Sequence, residues 1–240
     1  MENSPLDDLP GFRRRFRITP GPDSVCCDVE DDFHCMSVLV RHDGEMATSV
    51  EPQMHRAPWT TCPGAELKLH ETFSGLPLAE FSSRGEKNTN CTHLYDLILL
   101  AANHVFDNKP TVYDILVSDH IDGKRWAQVR MEGEVLLSWV EAELSIIEPD
   151  ELAGTSLFDM RAWIQSLDPA LREAARLLRW GNILASGRSI PLDEQSDATT
   201  MPPNCYTFQP ERARQAQRVG EIRDFSQAVE QPLEKIEIAL

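Results

Sequence analysis

The stretch Met36-Ser37-Val38-Leu39-Val40-Arg41-His42-Asp43-Gly44-Glu45-Met46-Ala47-Thr48-Ser49-Val50 decides the fold. A β-branched apolar run meets Asp-Gly, which supplies the positive φ that tight turns need, and the chain then returns. Two antiparallel strands joined by a hairpin are the direct reading. Upstream, Val25 to His34 and Met36 to Val40 read as one long strand, with Glu45 to Met54 as the return. Before them, Phe12, Arg14, Phe16 and Ile18 alternate with Arg13, Arg15 and Arg17, as on a strand whose basic face is solvated. Residues 13–54 are therefore expected to form an antiparallel β-meander, after an irregular Pro/Asp-rich segment at 1–11.

Two helices follow. Cys62 can act as N-cap with Pro63 at N1, where the missing N–H costs nothing. Ala65, Leu69 and Phe73 then recur at helical spacing, and Gly75 with Pro77 marks the stop. The second helix starts near Asn90, with Cys91 and His93 in its first turn. Leu94, Leu97, Ile98, Ala101, Ala102 and Val105 form its apolar stripe.

A second β region, Thr111 to Ile147, contains hairpin turns at Asp122-Gly123 and Glu132-Gly133. Helices are expected near Asp159–Ser166 and Pro169–Leu184, then a polar loop at 188–204 and a basic helix at Glu211–Val219. The fold class is α+β. The chain divides into the segment 1–11, an α+β core at 12–148 in which the meander is covered by two helices and joined by the second hairpin region, and a helical C-terminal extension at 149–240.

Composition bounds the function. With 39 acidic against 23 basic residues, the formal net charge of −16 repels phosphate backbones and anionic lipid, so neither nucleic acid nor a membrane is expected as partner. No apolar run reaches the length of a membrane span, and the N-terminus lacks a signal-peptide pattern, which points to a cytoplasmic protein. In a reducing compartment Cys26, Cys27, Cys35, Cys62, Cys91 and Cys205 read as free, catalytic or metal-bound thiols.

The chemistry concentrates at the helix starts. Unpaired N–H groups and the positive end of the macrodipole favour thiolates at Cys62 and Cys91. On a continuous strand Glu30, Asp32 and His34 project from one face, at the polar end of a row continued by Met36, Val38 and Val40. Asp32, His34, Cys62 and Cys91 then make a four-coordinate donor set for one divalent metal, zinc ahead of iron. His93 is a ligand or a general acid/base beside the metal, and Glu30 is a second proton carrier. Arg56 and Trp59, in the Pro-fixed loop before Cys62, are candidates for holding a carboxylate and an aromatic ring. The alternative for each residue is a packing or capping role, and Cys205 reads as packing.

Glu30–His34, Arg56–Ala65 and Cys91–Leu94 carry a pattern, Glu-Asp-Asp-x-His, Arg-x-Pro-Trp-x-x-Cys-Pro-x-Ala and Cys-Thr-His-Leu. It resembles that of a bacterial domain-of-unknown-function family. The order of strand with Asp, Asp-Gly turn, return strand, Cys-opened helix and second Cys-opened helix also resembles the IscU/NifU-type iron–sulfur cluster scaffolds. That resemblance implies an IscU/NifU-like core and puts Asp32, Cys62 and Cys91 at the scaffold's aspartate, middle cysteine and last cysteine. Glu30 stands where the scaffold has its first cysteine, and Asn90 where it often has histidine.

The leading expectation is a metal-dependent hydrolase or non-oxidative lyase acting on a small carbonyl- or carboxyl-containing metabolite, because no nucleotide-binding Gly fingerprint is present. A metal- or sulfur-transfer accessory protein and a non-catalytic binding subunit are the alternatives. Self-association is compatible with the sequence.

Overall fold

Gly44 has φ of +96°, the left-handed geometry expected of the Asp-Gly pair, and the chain reverses there. Asp43 supports the turn by accepting the amides of Glu45 and Met46 on Oδ1 at 3.0 and 2.8 Å. The computed structural model describes residues 5–190 and 196–237. Residues 1–4 of the expected irregular N-terminus, and 191–195 of the expected polar loop, lie outside them. The protein is α+β and divides into two compact units, residues 16–111, 191–223 and 233–240 in one, and 1–15, 112–190 and 224–232 in the other. The second β region and the helices after it belong to the same compact unit.

In the first unit the strands are β1 (Gly11–Pro20, of which the second half belongs here), β2 (Ser24–Asp31), β3 (Cys35–His42) and β4 (Ala47–Arg56). They lie in the order β4-β3-β2-β1, a meander. Helix α1 (Gly64–Phe73) packs on β4, and α2 (Thr92–Asn103) packs on β2 and β3. The apolar stripe read from the sequence is the buried face of α2, with Leu94, Leu97, Ile98 and Ala101 all in the core. Cys91, rather than Asn90, is the N-cap of α2. Gly75, at φ +80°, ends the turn after α1.

The stretch 25–34 is not one strand running on into β3. β2 stops at Asp31, and a tight turn at 32–34 reverses the chain. Asp31 makes this turn. Its Oδ1 accepts the amides of Phe33 and His34, each at 2.8 Å, and its own N–H donates to the His34 carbonyl at 2.9 Å. The register runs Glu30 opposite Cys35, Val29 opposite Met36 and Cys27 opposite Val38. Cross-strand partners share a face, so Met36 and Val38 share theirs with Val29 and Cys27, and by alternation with Asp31. Glu30 shares the opposite face with Cys35. The sequence expectation of Glu30, Asp32 and His34 on one face is thus corrected: the turn changes the parity, and Asp31 stands on the face of His34.

The opposite face is covered by the chain's end. Glu30 Oε2 accepts the Leu233 amide at 2.7 Å, and Arg17 donates to the Ile236 carbonyl at 3.0 Å while holding Asp28 at 2.8 Å. The basic row of β1 is accordingly not a solvated face. Arg13 and Arg14 are buried, and Arg15 and Arg17 each hold an aspartate.

The second unit has β5 (Thr111–Ser118), β6 (Arg125–Met131), β7 (Glu134–Ala142) and β8 (Ser145–Glu148) beside the first half of β1, in the order β1-β5-β6-β7-β8. Positive φ at both Asp122-Gly123 and Glu132-Gly133 gives the tight hairpin turns read from the sequence. Helices α3 (Arg161–Ser166) and α4 (Pro169–Ala185) follow, and α4 packs on β6 and β7. Asp168 caps α4 by accepting the Leu171 amide at 3.0 Å. Trp139 Nε1 donates to Asn182 at 2.7 Å inside this core, beside the buried Arg125–Glu141 pair.

Back in the first unit, the basic helix expected at 211–219 is only one turn, α5 (Pro210–Ala213). Beyond it the chain is extended and pairs with the loop before α1: Thr60 N–H donates to Gln217, and Val219 N–H to Pro58, both at 3.0 Å. Tertiary hydrogen bonding has replaced local helix propensity there. Among the described residues, no helix is long and apolar enough to cross a membrane.

Candidate metal centre

Three chain-distant thiols lie within electrostatic reach of one another in the first unit. Cys91 caps α2, Cys62 lies in the turn that leads into α1, and Cys205 lies on a segment spanning the starts of both helices. Two contacts fix that segment. Tyr206 N–H donates to the Asn90 carbonyl at 2.9 Å, and Gly64 lies so close to the Tyr206 ring that a Cβ there would stand 2.6 Å from the phenol oxygen. Glycine at 64 is therefore what lets this segment lie over α1. Tyr206 is further held by the Arg212 guanidinium, 3.8 Å above its ring.

The thiols feel one another. Burial pushes the Cys91 thiol up to about 12, with the charges of Cys62 and Cys205 adding to the rise. Cys205 is pushed up to about 11 by burial, again with Cys62 contributing. Cys62 is raised by burial, partly offset by its hydrogen bond with Thr207, whose Oγ1 is 3.3 Å from Sγ. Burial thus works against the thiolate expected at a helix start. Desolvation outweighs the favourable amides at Cys91, so the thiol keeps its proton at neutral pH unless a cation takes its place.

The imidazoles adjoin this group. Cys91 Sγ is 3.9 Å from His93 Nδ1. The His93 ring stacks on that of His34 with centroids 3.9 Å apart and planes at 30°. His34 Nδ1 in turn lies 3.0 Å from Asp31 Oδ1, and Asp31 is 0% exposed. A carboxylate at that distance holds the His34 proton on Nδ1. Sequence reasoning named Asp32 and passed over Asp31; the signal was Asp31-Asp32-Phe33-His34, an aspartate placed to accept two amides in a turn. It read Cys205 as packing, whereas its thiol lies within electrostatic reach of Cys62 and Cys91.

The remaining candidates sit otherwise. Asp32 is in the turn, where its carbonyl accepts Arg56 Nη1 at 2.8 Å and the Arg223 amide at 2.9 Å. Glu30 is buried and bound by Arg56 at 3.1 Å, Arg223 at 3.2 Å and the Leu233 amide, an arrangement that ties the chain's later segments to β2. Arg56 also donates to the Asp31 carbonyl at 2.6 Å, so its guanidinium is turned inward onto the β2–β3 turn. Trp59 is core. It packs with Ala198 and Ala213, meets Phe208 edge-on at 5.9 Å between ring centroids, and touches Cys62.

The donors are neighbours without forming a closed coordination shell: among the described residues, no group of three or more His, Cys, Asp or Glu side chains stands at metal-ligand spacing. Chemically, the arrangement offers soft sulfur donors, one adjacent imidazole, and a carboxylate-oriented histidine behind it. No protein-family model and no curated protein matches the chain.

Proposed function

We propose that the protein binds one soft divalent metal ion, zinc before iron, through Cys62, Cys91, His93 and Cys205. The observation that carries this reading is the Cys91–His93 pair. Two ligands of one tetrahedral zinc, at about 2.3 Å for sulfur and about 2.1 Å for nitrogen, stand roughly 3.5 Å apart. Cys91 Sγ and His93 Nδ1 are separated by 3.9 Å, with two more thiols in electrostatic reach of Cys91. Cys62 lies in a turn and Cys205 in a bend, so neither is held within a helix. Relative to the sequence expectation, Asp32 and His34 leave the ligand set, His93 takes the ligand role of its two, and Cys205 enters.

A catalytic use of the ion is the second reading, favoured by the Asp31–His34 pair against His93. A histidine oriented by a buried carboxylate is a proton carrier, and a metal with one displaceable ligand polarises a carbonyl or activates water. On this reading Cys205 is the displaceable ligand, and the reaction is hydrolysis or a non-oxidative lysis of a small metabolite. The likeness to iron–sulfur scaffolds supports the alternative of metal or sulfur transfer.

Metal quantitation on protein purified without chelators tests the site. The wild type is expected to hold one equivalent. Cys62→Ala and Cys91→Ala are each expected to lose it with unchanged circular dichroism, while Cys205→Ser keeps a weakened site. Metal retained in both alanine variants contradicts the proposal.

A further inference from the structure

In the second unit the register sets Trp126 opposite Val140, Gln128 opposite Ser138, and Val140 opposite Glu148. Alternation and pairing place these five on one face of the sheet. Trp139, one residue out of phase, bonds to Asn182 of α4, so the helix lies on the other face. Against the first face is a cavity of about 530 Å³, walled by Leu6, Leu9 and Pro149, that the thiol centre does not use. Its volume lies within the roughly 300–1,000 Å³ of small-molecule pockets. All of its lining belongs to the second unit.

The lining is mostly apolar, and two of its polar groups are left open. Gln128 is only 8% exposed. Its oxygen accepts Arg130 Nε at 2.7 Å, and among the described residues nothing accepts from its NH2 group. Buried amides are ordinarily satisfied, so this donor calls for an acceptor in the cavity. Glu148 is the one charged residue of the lining, and among the described residues no cation pairs with it. A lone carboxylate at an apolar cavity calls for a cation. The chain's net charge of −16 favours the same sign of ligand, because it concentrates cations at the surface. Trp126 is half-buried and offers its ring as a platform for an aromatic group or a cation. Neighbouring strands lie about 4.8 Å apart, so Trp126 on β6 and Glu148 on β8 are separated by roughly 10 Å. A ring carrying a short aminoalkyl chain spans that interval once the glutamate side chain reaches inward.

We propose that this cavity binds an arylalkylamine. The ring lies on Trp126 and Val140, the ammonium pairs with Glu148, and an oxygen on the ring accepts from Gln128. The inference stands apart from the metal reading, and neither falls with the other.

Tyramine, its alcohol counterpart tyrosol and its carboxylate counterpart 3-(4-hydroxyphenyl)propionate are titrated into the full chain by calorimetry, with tryptophan emission as a second readout. Tyramine is expected to bind saturably and to shift the emission, and the other two to bind at least tenfold more weakly. Glu148→Gln, at an exposed position, is expected to weaken tyramine at least tenfold and to leave tyrosol unchanged, with unchanged circular dichroism. Trp126→Ala is expected to weaken tyramine and tyrosol alike; if it fails to fold, Glu148→Gln decides. No binding of tyramine, equal binding of tyramine and the propionate, or wild-type tyramine affinity in Glu148→Gln overturns the proposal. So does self-association in sedimentation that tyramine leaves unaltered and Trp126→Ala abolishes, which would assign this face to a second copy of the chain.

Discussion

Asp31 shows how much one carboxylate organises. It accepts two backbone amides and orients His34, all without exposure to water. Asp31→Ala leaves those donors buried without their acceptor, which costs about 1–3 kcal/mol for each group so stranded. Urea denaturation is expected to show a loss of at least about 2 kcal/mol, and Asp32→Ala a smaller one. Equal losses for the two variants would mean that the turn does not depend on Asp31. At this scale the sequence was partly legible. Cys62, Cys91 and His93 stand out because their chemistry is rare and they flank helix starts. Asp31 was hidden by its neighbour, since two adjacent aspartates differ only in which side of the turn they face, and Cys205 was hidden because its partners are more than a hundred residues away.

The β2–β3 hairpin and its clasp set the outcome at the scale of elements. Arg56, at the end of β4, binds Glu30 and the carbonyls of Asp31 and Asp32, which ties the end of β2 and the β2–β3 turn to β4 through one side chain. Removing a partner from a buried ion pair costs about 3–5 kcal/mol, but Arg223 and the Leu233 amide still hold Glu30. Arg56→Ala is therefore expected to lose about 2–3 kcal/mol in chemical denaturation, and Arg56→Lys to recover little, because a point charge cannot replace the fork. Full recovery by lysine would contradict this account. Helices α1, α2 and α4 and the Asp-Gly and Glu-Gly turns were readable from periodicity and turn chemistry, which are local properties. The end of β2 was not, since alternation continues through residues 25–40 and gives no sign of the reversal. Nor was the end of α5, where pairing with the loop at 58–60 overrides the helical tendency of 211–219.

For the molecule as a whole, the metal reading makes stability depend on free metal. Anything that binds the folded chain and not the unfolded one stabilises it by mass action, about 2.7 kcal/mol at a free concentration one hundred times Kd. Zinc added to chelator-treated protein is expected to raise Tm in a saturable manner, and to leave the Tm of Cys62→Ala unchanged. The α+β class and the meander with two helices followed from the sequence, whereas the grouping of 112–190 with 1–15 depends on strand pairing that no local pattern reveals.

Convergence of the thiols on one metal is the centre of the account, and X-ray absorption at the zinc edge measures it directly. The zinc-loaded protein is expected to show a first shell of three sulfurs near about 2.3 Å and one nitrogen near about 2.1 Å, falling to two sulfurs in Cys205→Ser. A shell of oxygen and nitrogen alone, or one unchanged in Cys62→Ala and Cys91→Ala, would contradict it.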